Sequence, residues 1–209
     1  MIYDLIPASK VVADIGTDHA YLPCELAIHD KAIKIYACDN KEGPLSQAKK
    51  NIEENQLEDK ITCILSDGLK DVPEDVEIVI IAGMGLETAC TILEEAKSRL
   101  ASFDSIFVQV NKNVPNFRKW IAANKYRILE EKIVFDSFYY QVIQFKVGEE
   151  TNYSMEDIYL GPCLMKEKSP TFLNFLKAEL DKMNHILLYR KEEELLLKKK
   201  MIEDYIIEF

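Results

Sequence analysis

The chain has 209 residues, a net charge of −10, and 48% hydrophobic against 30% charged side chains. This balance excludes a disordered polypeptide, and the charge argues against indiscriminate nucleic-acid binding, leaving only a local basic patch for any polyanion. No apolar run approaches the roughly 18 uncharged residues of a membrane span, so no membrane partner is expected.

The first residues, M-I-Y-D-L-I-P, lack a basic region followed by an apolar core, so no export signal is expected. Five widely spaced cysteines (Cys24, Cys38, Cys63, Cys90, Cys163) form no C-x-x-C pair and have no histidine at metal-ligand spacing. They read as free thiols in a reducing, cytoplasmic compartment, with no metal.

Residues 1–10 predict a short arm or helix, broken by Pro7 and Ser9 before a first strand at Val11–Ile15. A helix follows over Tyr21–Asp30, a second strand over Lys34–Asp39 and a helix over Gly43–Asn55. The third and fourth strands are expected at Ile61–Leu65 and Val76–Ala82, with a helix over Leu86–Leu100. The fifth strand is Ser105–Val110, ahead of a helix around Asn116–Asn124. Tyr126–Phe135 and Phe138–Val147 then read as a hairpin, because only a short D-S turn separates them. Strand–helix alternation over five units implies an α/β fold with a parallel sheet and helices on both faces. Seven strands ending in a hairpin, the last antiparallel, is the Rossmann-like pattern of the class I S-adenosylmethionine-dependent methyltransferases.

Residues 148–170, with Gly148, Gly161-Pro162 and Ser169-Pro170, read as a linker packing back on the sheet domain. From Thr171 onward there is neither glycine nor proline. Phe172, Leu176, Leu180, Met183 and Leu187 form one apolar stripe at helical spacing, and Leu195, Ile202, Ile206 and Phe209 form another. A single rod would be about 58 Å long at 1.5 Å per residue. A coiled-coil hairpin reversing near Tyr189–Glu193 hides both stripes in a monomer; a helix swapped into a dimer is the alternative. The expected domains are 1–163 and 164–209. The second carries nine basic and nine acidic residues, so the whole net charge resides in the first.

Chemistry concentrates at the strand ends. After the first strand, D-I-G-T-D-H-A-Y-L-P holds Asp14, Gly16, Thr17, Asp18, His19 and Tyr21 within eight residues. Gly16 is its only glycine, unlike the G-x-G-x-x-G of a pyrophosphate site, and Asp18 would repel a phosphate. Acidic residues there favour a cationic cofactor, S-adenosylmethionine. Asp39, ending the second strand, can accept the ribose hydroxyls of an adenosyl group. Asp67-Gly68 can meet adenine, though D-G is also a plain turn. Gly83-Met84-Gly85 lets backbone approach a ligand. Gln109 and Asn111 end the fifth strand with amides able to read a base edge.

The blocks D-I-G-T-D-H-A-Y-L-P (14–23), N-K-E-G-P (40–44), S-D-G-L (66–69), I-A-G-M-G (81–85) and V-Q-V-N (108–111) resemble the TrmK family of bacterial tRNA (adenine-22-N1) methyltransferases. G-P-C-L at 161–164 and the helical tail, similar to the family's C-terminal coiled coil, extend the resemblance along the whole chain. It implies that Asp14, Gly16, Thr17, Asp39, Asn40, Asp67, Gly68, Gly83 and Met84 surround S-adenosylmethionine. It also implies that Asp18, His19, Tyr21 and Asn111 face the target base. Two departures stand out: Leu86 replaces the last glycine of the family's usual G-M-G-G, and Val110 replaces the proline of its Q-P-N.

The implied reaction is methylation of adenine N1 in tRNA, where Asp18 could stabilise the cationic product or His19 could relay a proton from the exocyclic amine. Tyr21 or Met84 could pack on the base face. Lys112, Arg118, Lys119 and Lys125, with Lys198–Lys200 on the tail, are the candidate RNA contacts. The rival readings are a small-molecule methyltransferase and a non-catalytic RNA- or protein-binding module on the same fold.

Overall fold

The computed structural model describes residues 1–148, 151–189 and 192–208. Strands β1 (Lys10–Ile15), β2 (Ala32–Asp39), β3 (Ile61–Leu65), β4 (Ile78–Met84), β5 (Ser105–Val110), β6 (Tyr126–Asp136) and β7 (Phe138–Val147) form one sheet in the order β3-β2-β1-β4-β5-β7-β6. The first five are mutually parallel, and β7 runs antiparallel to both β5 and β6. The central strands are apolar on both faces because helices cover both.

Helices α1 (Ile2–Leu5), α2 (Tyr21–Ile28) and α3 (Glu42–Glu54) lie on one side, over Val12, Ile35, Ile80, Phe107 and Val142. Helices α4 (Leu86–Glu95) and α5 (Val114–Ala123) lie on the other, over Ala13, Ile15, Val79, Val108 and Phe145. Adjacent strand residues thus serve opposite layers, as the two-residue alternation of side chains requires. The fourth strand lies two residues later than its apolar run suggested, at Ile78–Met84. The helix after it stops at Glu95, and a 3-10 turn at Leu100–Ser102 completes the connection.

The stretch 148–170, expected as a linker, contains two helices, α6 (Met155–Leu160) and α7 (Pro162–Glu167); residues 149 and 150 lie outside the described residues. Helix α6 starts with a reciprocal capping box between Ser154 and Asp157. Six-residue helices are too short for a periodic apolar pattern, so only that cap marked this one in the sequence. The expected division at 163/164 falls inside α7.

Both short helices are tied to the sheet by a buried polar knot. Arg118 of α5 is 1% exposed and donates through Nε to Glu131 Oε1 at 2.6 Å. It also reaches Gln141 Oε1 of β7 at 2.8 Å and the Ile158 carbonyl of α6 at 3.4 Å. The second oxygen of Glu131 accepts the Cys163 backbone N–H at 3.0 Å. Gly161, at φ +99°, passes so near that a Cβ would lie 2.6 Å from Arg118 Nη2 and 2.8 Å from Glu131 Oε2. Only glycine fits. Arg118 is therefore an internal cross-link, which corrects its expected role as an RNA contact.

Helices α8 (Pro170–Leu187) and α9 (Glu193–Ile207) run antiparallel, with Phe172 against Tyr205 at 5.8 Å between rings and Glu179 near Lys198 at 3.7 Å. Phe172, Leu176, Met183 and Ile202 bury the two stripes together with Ile133 of β6 and Leu164 of α7. Arg190 and Lys191, within the expected reversal, and Phe209 of the second stripe lie outside the described residues.

Candidate active site

The carboxyl ends of the parallel strands bring the predicted residues to one edge. At the end of β1 the chain turns through Gly16 (φ +75°), Asp18 (φ +50°) and Ala20 (φ +56°), every second residue being left-handed. Gly16 N and Thr17 N both donate to the Cys38 carbonyl of β2, at 2.8 and 2.9 Å. Asn51 Nδ2 of α3 holds the His19 carbonyl at 2.9 Å. That anchor was missed in the sequence, because nothing in the spacing links position 51 to position 19. A Cβ on Gly16 would lie 2.4 Å from Met84 Cε, so the methionine side chain rests on the glycine backbone and joins the β1 and β4 loops.

Inside this turn the chemistry is acidic. Asp14 is buried, and burial pushes its carboxyl up to about 6, with the Asp39 charge adding to the rise. The Thr17 hydroxyl adjoins that carboxyl and offsets part of the rise, but Oγ1 is buried and completes no hydrogen bond. Asp39 accepts the Asp18 N–H at 3.4 Å on one oxygen and the Lys41 N–H at 3.0 Å on the other. Asn40 beside it is exposed. Neither Asp14 nor Asp39 meets a cationic side chain among the described residues' ion pairs.

Outside the turn the wall faces solvent. Asp18 and Tyr21 are each 69% exposed, the His19 and Tyr21 rings stack 5.4 Å apart, and His19 Nε2 lies 3.7 Å from Asp18 Oδ2.

The other strand ends are more constrained. Gly68 turns at φ +63° beneath α4, where a Cβ would sit 3.2 Å from Ile92, while the Asp67 carboxylate pairs with Lys70 at 2.5 Å in solvent. Gly83 turns at φ +74° with open space around it. Its N–H donates to Gln109 Oε1 and its carbonyl accepts from Asn111 Nδ2, both at 2.8 Å. Gln109 Nε2 approaches Asn111 Oδ1 at 3.4 Å, so the two amides clamp the Gly83 peptide. In this state they set the loop's shape rather than offering free edges.

Among the candidate RNA contacts, Lys198 pairs with Glu179 and Lys199 with Glu203, at 3.7 and 3.5 Å. The first pair joins α9 to α8 and the second lies one turn apart on α9, so both lysines are engaged within the helical hairpin. Lys119 pairs with Glu194 at 3.8 Å and lies over the Tyr159 ring. Lys112 is exposed at the end of β5.

This sheet order and this acidic edge define a class I S-adenosylmethionine-dependent methyltransferase. The residues present fit a cationic donor: Asp14 is a buried carboxyl that meets no cationic side chain among the described residues, with the Thr17 hydroxyl beside it. The family model for tRNA (adenine(22)-N(1))-methyltransferase, TrmK, matches residues 12–209, and the chain belongs to that family. It is 32% identical over 186 residues to the Bacillus subtilis tRNA (adenine(22)-N(1))-methyltransferase, covering 86% of this chain and 78% of that protein. A Streptococcus pneumoniae protein crystallised with S-adenosyl-L-methionine superposes with a TM-score of 0.90 at 30% identity, over 98% and 96% of the two chains. M. capricolum TrmK, bound to S-adenosyl-homocysteine, gives 0.83 at 30% identity, over 99% and 95%.

The raised Asp14 pKa sets a pH dependence. Below about 6 the carboxyl is neutral, so on the reading that it faces the cationic donor, donor affinity should fall up to about tenfold per pH unit there and level off above. Titration calorimetry between pH 5 and pH 8 checks this, and a flat profile refutes it. The five thiols are free, and burial pushes Cys38 up to about 12 and Cys90 and Cys163 up to about 11, which keeps them protonated and inert. No described helix is long and apolar enough to cross a membrane, and no three His, Cys, Asp or Glu side chains among the described residues group as a metal site.

Proposed function

We propose that this chain methylates N1 of adenine 22 in tRNA, with S-adenosylmethionine as donor, and that the D-I-G-T-D-H-A-Y stretch divides the labour. Its inner half (Asp14, Gly16, Thr17), with Asp39, Asn40, Asp67, Gly68, Gly83 and Met84, holds the donor. Its outer half (Asp18, His19, Tyr21), with Asn111, receives the base. The observation that carries the reading is the contrast across one turn: a buried carboxyl without a counter-ion on one side, a solvent-facing acid–imidazole–phenol group on the other. Family membership favours tRNA over a small-molecule substrate and over a non-catalytic module.

The donor supplies an already activated, cationic methyl group. The protein's work is then alignment and electrostatics. An adenine methylated at N1 is cationic while its amine keeps both protons, so the Asp18 carboxylate would stabilise the charge as it develops. Alternatively His19, beside Asp18, takes a proton from the exocyclic amine, which leaves the methylated base neutral. N1 lies on the pairing edge, so the base must arrive unpaired; Tyr21, held parallel to His19, offers it a face. The Gln109–Asn111 clamp keeps the Gly83 loop open beside it. Residues 1–163 carry this chemistry and 164–209 extend the RNA-facing surface; the setting is the cytoplasm, where tRNA and reduced thiols coexist.

Methylating a tRNA transcript with labelled donor and mapping the modified nucleoside tests the proposal. Label at N1 of adenine 22 supports it, and label elsewhere or none overturns it. Lys112 is exposed and adjoins Asn111 just past the end of β5. Lys112→Glu should weaken tRNA binding and lower the slope of log affinity against log salt by about one. An unchanged slope would remove Lys112 from the interface.

A further inference from the structure

The tip of the β6–β7 hairpin is not explained by folding. Phe135 is 60% and Phe138 71% exposed, on either side of a turn made by Ser137 alone at φ +59°. Two large rings at a solvent-facing tip forgo most of the burial that would stabilise them. The strand register says where they stand. Residue Val108 of β5 pairs with Ile143 of β7, and continuing that register brings Asn111 level with Tyr140. The tip therefore rises beyond the end of β5, at the same sheet edge as Asp14, Gly83 and Asn111.

The two rings point to opposite faces. Phe135 pairs across the hairpin with Tyr139, 4.8 Å between rings, and Tyr139 packs edge-on against Phe175 of α8 at 5.3 Å. Phe138 and Tyr140 alternate with these and share the face of Val142, which packs in the α1–α3 layer. That is the face on which α2 begins with Tyr21. Between the stacked His19–Tyr21 pair at β1 and Phe138 at β7 lie three strand spacings, about 14 Å. Lys112 sits at the end of β5 between them.

We infer that the hairpin tip, through Phe138 and the Tyr139-backed Phe135, stacks on unpaired tRNA nucleotides flanking the target adenine. The inference rests on the proposed function and adds to it a device that holds the RNA strand while its base is displaced. Aromatic rings accept any base on their faces. With the exposed Asp136 between them the rings, not charge, carry the contact, while Lys112 past the end of β5 suits a phosphate. A protein partner or a second copy would need a broader apolar patch, whereas this tip is narrow and stands at the same sheet edge as the base site.

The test compares wild type with Phe138→Ala, Phe135→Ala/Phe138→Ala and Phe138→Trp. Phe138 is largely exposed, so its removal leaves the fold intact, and donor binding by calorimetry should be unchanged. The expected result is a fall of about 10- to 100-fold in kcat/KM for tRNA in the double variant, carried by KM, with near wild-type activity in Phe138→Trp. Indole fluorescence of Phe138→Trp should change on adding tRNA, after subtraction of the wild-type Trp120 signal. Full tRNA turnover by the double variant overturns the inference alone. A changed molecular mass by light scattering assigns the tip to a second copy and also overturns it. Failure of wild type to methylate tRNA overturns the functional reading beneath it.

Discussion

Asp14→Asn is expected to abolish donor binding and, at pH 7.5, to stabilise the cofactor-free protein. The folded-state pKa of about 6 lies above the ordinary 3.8, so the fold favours the protonated carboxyl. Its contribution is full below about pH 4 and is lost as pH rises through 6, which amounts to roughly 3 kcal/mol at 1.36 kcal/mol per unit. A neutral amide removes that loss, and the melting temperature should rise by several degrees, on the order of 5–10 °C. On the proposed reading the same change also deletes a buried carboxyl set against the donor, so affinity should fall on the order of 100-fold or more. Thermal melts with and without S-adenosylmethionine read both effects: the variant should melt higher alone and gain nothing from the donor. A lower melting point with donor-dependent stabilisation intact would show that Asp14 is structural. The turn would then be one of those sites where function is kept at the expense of stability only in appearance.

Glu131→Ala should be strongly destabilising. It strands the Arg118 guanidinium, 1% exposed, with only Gln141 and the Ile158 carbonyl as partners, and it frees the Cys163 N–H. Breaking a buried pair in this way costs about 3–5 kcal/mol, a fall of roughly 10 °C or more for a chain of this size. The double variant Arg118→Met/Glu131→Leu separates charge from packing. Apolar replacement of both partners should recover much of the loss. If Glu131→Ala melts like wild type, the knot is not closed in solution. Because the knot fixes α6 and α7 to β6 and β7, Glu131→Ala should lose tRNA methylation at a lower temperature than it loses donor binding.

Much of the fold was legible because it rests on local signals. Runs such as V-V-A-D-I and V-E-I-V-I-I-A are buried on both faces and could only be central strands, and the D-S turn announced the hairpin. The failures have physical causes. Residues 148–170 hold glycines and prolines, which read as breaks, yet Gly161 and Pro162 separate two short helices that only tertiary contact stabilises. Arg118, a basic residue on a helix near the site, had every sequence mark of an RNA contact. Its burial depends on Glu131 and Gln141, which arrive from strands 13 and 23 residues away. Gln109 and Asn111 were correctly placed at the sheet edge, but their engagement with Gly83 is a matter of side-chain geometry that spacing does not encode.

The sheet, the acidic turn after the first strand and the family resemblance were legible in the chain alone, since each depends on residue type at short range: continuous apolar runs, one glycine among acids, a ten-residue block. Only the tertiary structure decided which polar groups remain available. It removed Arg118 from the surface, tied Lys198 and Lys199 to neighbouring carboxylates, and left Asp14 without a counter-ion. It also carried Phe135 and Phe138 to the edge where Asp18, His19 and Tyr21 wait. Availability is set by burial and by partners distant in the chain, and neither quantity exists until the strands have been laid side by side.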